Sequence, residues 1–425
     1  NLLFAGTEFG AYFSNNGGAN WSKLGSGLPT IQVRDMVFQT QHDDLVIATF
    51  GRGFYVFEGL EQLRAMTPEF MAGEGGLLPV TDIPMFVPSD PDPSWQGETF
   101  YTAENPDPGA TFRYYRRDAI LTLREQRERA DRAAARRGED VFYPTWDSLR
   151  MEDTEVPPQM ILTVRDPEGT LVTRLTGRTS DGVTTVRWNL RYPSATPITR
   201  GGTGGGGFGG GGFFGGGGGA HNGPYIIPGT YSVALSTYDG GAVTALGEPQ
   251  SFEVYMLDEV QRSPEVLAFQ KEVQRLQRAV LGANAAAGEA QTRVSDLETA
   301  FERVPLDNSD EIQNTVEGLR ERLRGVQWDL NGDPTVARRA EASPSSLSQR
   351  LGRITGGAWS GTLTEVTGLQ REQYGLIAAE FGAILDELRR LIEVDLSELE
   401  GLADEVGAPW TSGRLPVWEG RRPIS

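Results

Sequence analysis

The chain has 425 residues, a formal net charge of −19, two histidines and no cysteine. The acidic balance argues against nucleic acid and anionic lipid as partners, since both need a basic face, and the missing cysteines remove disulfides, thiolate zinc sites and cysteine nucleophiles. The length and an ordinary apolar fraction suit two to four folded domains, and no apolar run is long enough for a helix that spans a membrane.

The chain opens on Asn1, inside what already reads as strand–turn–strand, with no initiator Met or signal peptide. The expectation is a start inside a fold, with any export signal upstream. Residues 1–58 are β-rich. Short strands are predicted over Leu2–Thr7, Gly10–Ser14, Val33–Gln39, Leu45–Phe50 and Gly53–Phe57, punctuated by glycine as in a propeller or sandwich.

The stretch Ser14-Asn15-Asn16-Gly17-Gly18-Ala19-Asn20-Trp21 resembles an Asp-box, the S-x-D-x-G-x-x-W turn of sialidase-like and sortilin-like propellers, with Asn16 in the Asp position. Either side chain can accept from backbone amides of the turn. Gly18 supplies a positive φ, and Trp21 is expected to pack beneath, so Ser14, Asn16, Gly18 and Trp21 read as a structural staple. Val33–Phe38 and His42–Val56, with Gly51-Arg52-Gly53, resemble the final blade of large secreted bacterial BNR-repeat, or sortilin-N-terminal-like, proteins labelled glycosyl hydrolases. That family commonly has His before Gly-Arg-Gly, where this chain has Phe50. A lone blade cannot bury both of its faces. The resemblance therefore implies that the remainder of the propeller lies upstream or in a partner chain.

Residues 61–100 read as an extended, Pro-punctuated connector, with Leu60–Met66 as one or two helical turns. Residues 101–257 read as a β-sandwich with period-2 alternation. Its predicted strands begin near Gly109–Tyr115 and continue through Met160–Arg165, Leu171–Leu175, Thr184–Leu190, Pro228–Leu235 and Gln250–Met256. Their order resembles the immunoglobulin- or fibronectin-III-like module that follows the propeller in the same family. One insertion, 117–150, carries a charged helix over Ala119–Arg137 with i,i+4 pairs such as Glu125 with Arg129; it reads as a solvated helix or a partner-binding arm. The other, 201–219, is nearly pure glycine with Phe208, Phe213 and Phe214. It reads as a loop, or as an assembly contact in which those rings fill pockets on a neighbouring molecule.

Residues 258–408 read as an antiparallel helical bundle. Ser263-Pro264 is an N-cap with Pro at the first helical position. Apolar stripes at three-four spacing run through Val266–Val280, Ala290–Phe301, Ile312–Val326 and Ile377–Leu391. The tail 409–425, with Trp410 and Trp418, is expected to strap back onto the body.

Chemistry is sparse. His42 and His221 form no metal or triad spacing. Candidate acids are Glu8, Asp35, Asp43, Asp44 and Glu58, and Arg52 between its glycines is a candidate for binding carbonyls at a propeller centre. Glu8 and Arg52 are the residues singled out for a ligand. Asp329–Asp333 hints at calcium but lacks a twelve-residue loop with a closing Glu. The glycine tract is no phosphate loop, since no Lys-Ser/Thr follows. Neither a cofactor nor a resident metal is expected.

The fold class expected is thus multidomain β plus α: closing propeller blade, sandwich with insertions, helical bundle. The function expected is an extracellular or periplasmic bacterial binding and structural protein, with a protein or glycan ligand and homo-oligomerisation as candidates. A glycoside hydrolase with its acids upstream and a sortilin-like peptide binder are the alternatives.

Overall fold

In a computed structural model the chain is a mixed β and helical protein with several sheets and a helical C-terminal region. The structure describes residues 2–25, 27–40, 43–86, 108–197, 223–257, 263–305, 309–339, 341–359 and 365–416. The chain divides into two compact units, one of Asn1–Leu190 with Pro228–Asp258, the other of Arg191–Ile227 with Glu259–Ser425.

The first unit opens with two three-stranded sheets. One contains β1 (Leu3–Thr7), β2 (Gly10–Ser14) and β3 (Ser22–Lys23); the other contains β4 (Val33–Gln39), β5 (Asp44–Thr49) and β6 (Phe54–Phe57). Alternation sends Leu45 and Ile47 of β5 inward, where they join Ala11, Leu24 and Leu60 in a small core flanked by Phe4, Phe13, Met36 and Tyr55. The opposite face of the same sheet is apolar as well. Val37, Val46 and Val56 form one cross-strand row, and Ala48 pairs with Phe54 in the next. Val37, Phe54 and Val56 remain 57%, 77% and 57% exposed.

The expected connector is not merely extended. Residues 61–86 hold the body of α1 (Leu60–Ala65), then α2 (Pro68–Ala72), β7 (Gly75–Leu77) and β8 (Ile83–Met85). β7 pairs with β9 (Ala110–Arg116), and β8 pairs in parallel with β15 (Gln250–Met256). A strand of three residues gives little periodic signal, which is why the Pro-rich spacing hid both. The Gln250 side-chain amide fixes this segment: its Oε1 accepts from Val80 N at 3.1 Å and its Nε2 donates to Leu77 O at 3.1 Å.

Two further sheets share a core. One orders β11 (Leu171–Gly177), β10 (Gln159–Arg165), β13 (Gly229–Asp239), β15 and β8, with β14 (Ala242–Ala245) off β13. The other orders β12 (Gly182–Trp188), β9 and β7. Along β9 every second residue is buried, and likewise along the inner part of β10 and β13. Across the two sheets the Phe112 and Phe252 ring centroids lie 5.6 Å apart and those of Trp188 and Tyr231 6.3 Å apart. Each such ring contributes about 1.5–3 kcal/mol of burial. Gly177 is required here: a Cβ would lie 2.3 Å from the Tyr114 hydroxyl oxygen.

The charged insertion holds α3 (Leu123–Arg136) and a second helix, α4 (Trp146–Thr154). The expected Glu125–Arg129 pair gives way to a capping box, in which Glu125 turns back to the Thr122 amide. Arg124 pairs with Glu128, and Arg127 with Asp131 and Glu152.

In the second unit, α5 (Pro264–Phe301), α6 (Ser309–Asn331), α7 (Pro334–Ala337), α8 (Leu347–Trp359), α9 (Gly368–Arg390) and α10 (Ser397–Glu405) surround one apolar seam. Ser263 caps α5, with Pro264 at its first position. Arg293–Glu400, Arg320–Glu298, Arg350–Glu380 and Arg322 with Glu387 and Asp395 tie helices at the rim of the seam. Residues 191–197 and 223–227, expected with the β-sandwich, belong to this helical unit. Gln274 donates to Pro193 O at 2.7 Å and the Lys271 ammonium lies 4.4 Å over the Tyr192 ring.

Buried positions on α9 run Ile377, Phe381, Ile384, Leu388 and Leu391, then jump five residues to Leu396 before Leu399 and Ala403. A π-turn over Leu391–Leu396 absorbs the extra residue and returns the apolar stripe to the seam. Deleting Glu393 shortens that step to four, so α-helix should run through with cooperative unfolding and a urea midpoint no lower than the parent's. Deleting Ala379 should instead misphase α9 and abolish the cooperative transition, both followed by circular dichroism.

Candidate functional site

The residues singled out in the first sixty divide between the two ends of their sheets. At one end lies the Ser14–Trp21 turn. Ser14 is buried; its hydroxyl donates to Asn16 Oδ1 at 2.9 Å and accepts from Gly18 N at 2.8 Å. Asn16 Oδ1 also accepts from Asn20 N at 2.9 Å, and Gly17 and Gly18 take φ of 70° and 95°. An amide oxygen therefore does here what a carboxylate would do, without charge. Trp21 touches the Gly18 position but keeps 46% of its surface open, so it is not tucked fully beneath the turn. Asn15 Nδ2 donates to Met66 O at 2.7 Å, which joins the turn to the end of α1.

The same end holds most of the acids. Asp43, at φ 54°, receives both terminal nitrogens of Arg64 at 2.6 Å. The hydrogen bonds from that guanidinium hold its carboxyl below the usual value of 3.8. Asp44 accepts from Gly59 N at 3.2 Å, and Glu58 closes β6 on an exposed position. These carboxylates are turn and cap groups.

Glu8 and Arg52 meet at the other end. A Cβ on Gly6 would lie 2.7 Å from Val33, which pairs with Thr49, and Phe50 N donates to Gln32 O at 2.9 Å. The Thr7–Gly10 turn, the start of β4 and the Phe50–Gly53 turn therefore share this rim. Gly51 and Gly53 take φ of 78° and 74°, and Thr49 closes the turn on Gly53 O through both its amide and its hydroxyl. Glu8, Phe9 and Arg52 are exposed, and among the described residues neither Glu8 nor Arg52 has a hydrogen-bond or ion-pair partner. The Arg34 guanidinium lies 4.7 Å over the Phe50 ring. Sequence reasoning passed over Arg34 and noted Phe50 only as a departure from the family pattern. The missed signal was an Arg and a Phe at opposed strand ends, which only the pairing of β4 with β5 brings together. The rim offers one carboxylate, two guanidiniums and two exposed rings, a set suited to holding a polar ligand, while Asp35 spends one oxygen on Met36 N at 2.9 Å.

Other expected sites stand apart. His42, His221, Phe208, Phe213, Phe214 and Trp418 lie outside the described residues. Both flanks of the glycine tract are described: Arg191 bridges to Tyr225 with its guanidinium 3.5 Å over that ring, and donates to Gly223 O at 3.2 Å. In the Asp329–Asp333 stretch, Asn331 bonds Asn284 and Asp333 caps Thr335 N at 2.7 Å. Burial, with Glu380 nearby, lifts the Asp329 carboxyl. Among the described residues no three His, Asp or Glu side chains are placed to hold a metal, and no helix is long and apolar enough to cross a membrane. In the tail, Arg414 reaches Asp404 and Pro409 O, and Gly413 lies against Arg293.

No protein-family model matches the chain, and no curated protein matches it in sequence.

Replacing Asn16 by Ala should cost about 1 kcal/mol of stability by leaving the buried Ser14 hydroxyl short of a partner, whereas Asn16→Asp should retain it; urea melts of both measure this. Because Arg64 depresses the Asp43 value in the folded state, the pair's contribution is present above the ordinary carboxylate value and fades as pH falls through the lowered one. The stability gap between the parent and Asp43→Asn should therefore close on acidification, as read from urea midpoints along a pH series.

Proposed function

We propose that this chain is a binding and structural protein of the bacterial cell exterior, similar to the secreted BNR-repeat proteins. In this reading residues 1–60 close a β-propeller whose other blades come from other polypeptide. The aromatic-cored sheets are an immunoglobulin- or fibronectin-III-like sandwich, and the antiparallel helices space and assemble the whole. The observation that carries the reading is the second apolar face of β4–β6. Val37, Phe54 and Val56 are the residue types of a sheet covered on both sides, yet among the described residues nothing covers them. The Ser14–Trp21 turn supports it, since Asn16 performs the amide-gathering task of an Asp-box aspartate.

The ligand end in this reading is the rim of Glu8, Arg34, Phe50 and Arg52. Exposed guanidiniums and rings suit a protein or glycan ligand held by hydrogen bonds and stacking. Glycoside hydrolysis needs two carboxylates facing across a bond, and the acids of the first sixty residues lie at opposite ends of their sheets or cap turns.

The paired substitution V37K/V56K should change the stability of the chain by no more than about 0.5 kcal/mol, as expected for an open surface. It should abolish binding of polypeptide that supplies the adjoining blades. Hydrogen–deuterium exchange over residues 33–57 of the parent should slow when that polypeptide is added. Unchanged exchange, or destabilisation by V37K/V56K as large as the roughly 2–5 kcal/mol expected for Leu45→Ala, would count against the reading.

A further inference from the structure

We propose that Asn16 and Gly17 form a self-processing site, at which the folded turn converts the Asn16 amide through a cyclic imide into aspartate or isoaspartate, with release of ammonia. In the first step the Gly17 nitrogen attacks Asn16 Cγ. A new N–C bond forms, the Cγ–Nδ2 bond breaks, and the proton lost by the Gly17 amide leaves on the ammonia. Water then opens the imide. Addition at Cγ restores the peptide with an aspartate, and addition at the backbone carbonyl of residue 16 leaves an isoaspartate whose chain runs through Cγ. Water is the only co-reactant, and a glycine after the asparagine leaves the attacking nitrogen unshielded by a side chain.

The turn meets the needs of this step at each reacting atom. Negative charge develops on Asn16 Oδ1 as Cγ becomes tetrahedral, and that oxygen already accepts from the Ser14 hydroxyl at 2.9 Å and from Asn20 N at 2.9 Å. Fixed donors at an oxygen where charge develops lower such a barrier. The Ser14 hydroxyl is aimed as well: its oxygen accepts from Gly18 N at 2.8 Å, which leaves its proton for Asn16, and the serine is buried. The nucleophile is free, since among the described residues the Gly17 amide has no acceptor. So is the leaving nitrogen, because both hydrogen bonds of the Asn16 side chain fall on its oxygen. Gly17 is exposed, which gives water access to the imide.

A second Asn–Gly pair has the opposite arrangement. The Gly332 amide donates to Trp328 O at 2.6 Å, and Asn331 Nδ2 donates to Asn284 Oδ1 at 2.7 Å. Nucleophile and leaving group are both engaged there, at the last residue of α6, so the same dipeptide is protected in one place and primed in the other. Asn222, of the third such pair, lies outside the described residues. The two products differ in what they do to the turn. A carboxylate at position 16 keeps the acceptor that gathers Ser14 and Asn20. Isoaspartate puts an extra methylene into the main chain, which removes that acceptor and loosens the turn that Asn15 ties to Met66 O. None of this depends on whether residues 1–60 close a propeller.

The test is peptide mass spectrometry of the full chain after incubation at mildly alkaline pH, folded and in guanidinium chloride. In the folded chain Asn16 should convert about tenfold or more faster than Asn331. Isoaspartate should be among its products, which direct hydrolysis of the amide does not give. In guanidinium the two pairs should converge, with Asn16 converting no faster than in the fold. Ser14→Ala, which removes one donor from Oδ1, should slow the folded reaction by about tenfold. Faster conversion of Asn16 in guanidinium than in the fold, equal rates at Asn16 and Asn331 in the folded chain, aspartate as the sole product, or an unslowed Ser14→Ala would each overturn the proposal. The guanidinium comparison uses the parent and holds even where Ser14→Ala fails to fold.

Discussion

A β-sheet has two faces, and the first sixty residues supply cover for one. Strand alternation makes this a matter of parity: once Leu45 and Ile47 point to the core shared with Ala11, Leu24 and Leu60, Val37, Val46 and Val56 must point away from it. No side-chain rearrangement within β4–β6 can hide both rows. The N-terminal strands are paired into two three-stranded sheets, and the burial of the second sheet is incomplete. The functional reading follows from that mismatch.

The two later cores meet the same requirement by different means. In the paired sheets, four rings from β9, β12, β13 and β15 meet across the interior, and Gln250 pins the β7–β8 segment with one side-chain amide. In the helical unit the requirement is angular. A five-residue jump between Leu391 and Leu396 would rotate the apolar stripe out of the seam if the helix stayed α throughout, and the π-turn restores its phase. Ion pairs lie at the margins of this seam, where solvation keeps each individually weak.

Period and turn chemistry made much of this legible in the sequence. Alternation placed β4, β5, β10 and β15 to within a residue or two, and the three-four stripes placed α5, α6 and α9. What was hidden required partners distant in sequence. β7 and β8 are too short to carry a period of their own and exist because β9 and β15 offer edges to them. Residues 191–197 read as β by position in the chain, but their contacts run to α5. Of the candidate rim, Glu8 and Arg52 were visible as turn residues. Their common end, and the Arg34–Phe50 stack beside them, came only with strand register. Asp43 and Asp44 read as a turn in the sequence, but the Arg64 guanidinium and the Gly59 amide that occupy them are not displayed there.

The neck formed by Arg191, Tyr192, Gly223 and Tyr225 has a consequence for engineering. Its two flanks are joined by their own backbone contacts, including Tyr192 N to Pro224 O at 2.9 Å, and are anchored to α5 through Lys271 and Gln274. The described flanks therefore hold that corner of the helical unit together through contacts of their own. Where backbone on both sides of a junction is independently secured, foreign sequence is tolerated. A sequence change that leaves residues 191–193 and 223–225 in place should therefore leave this corner intact.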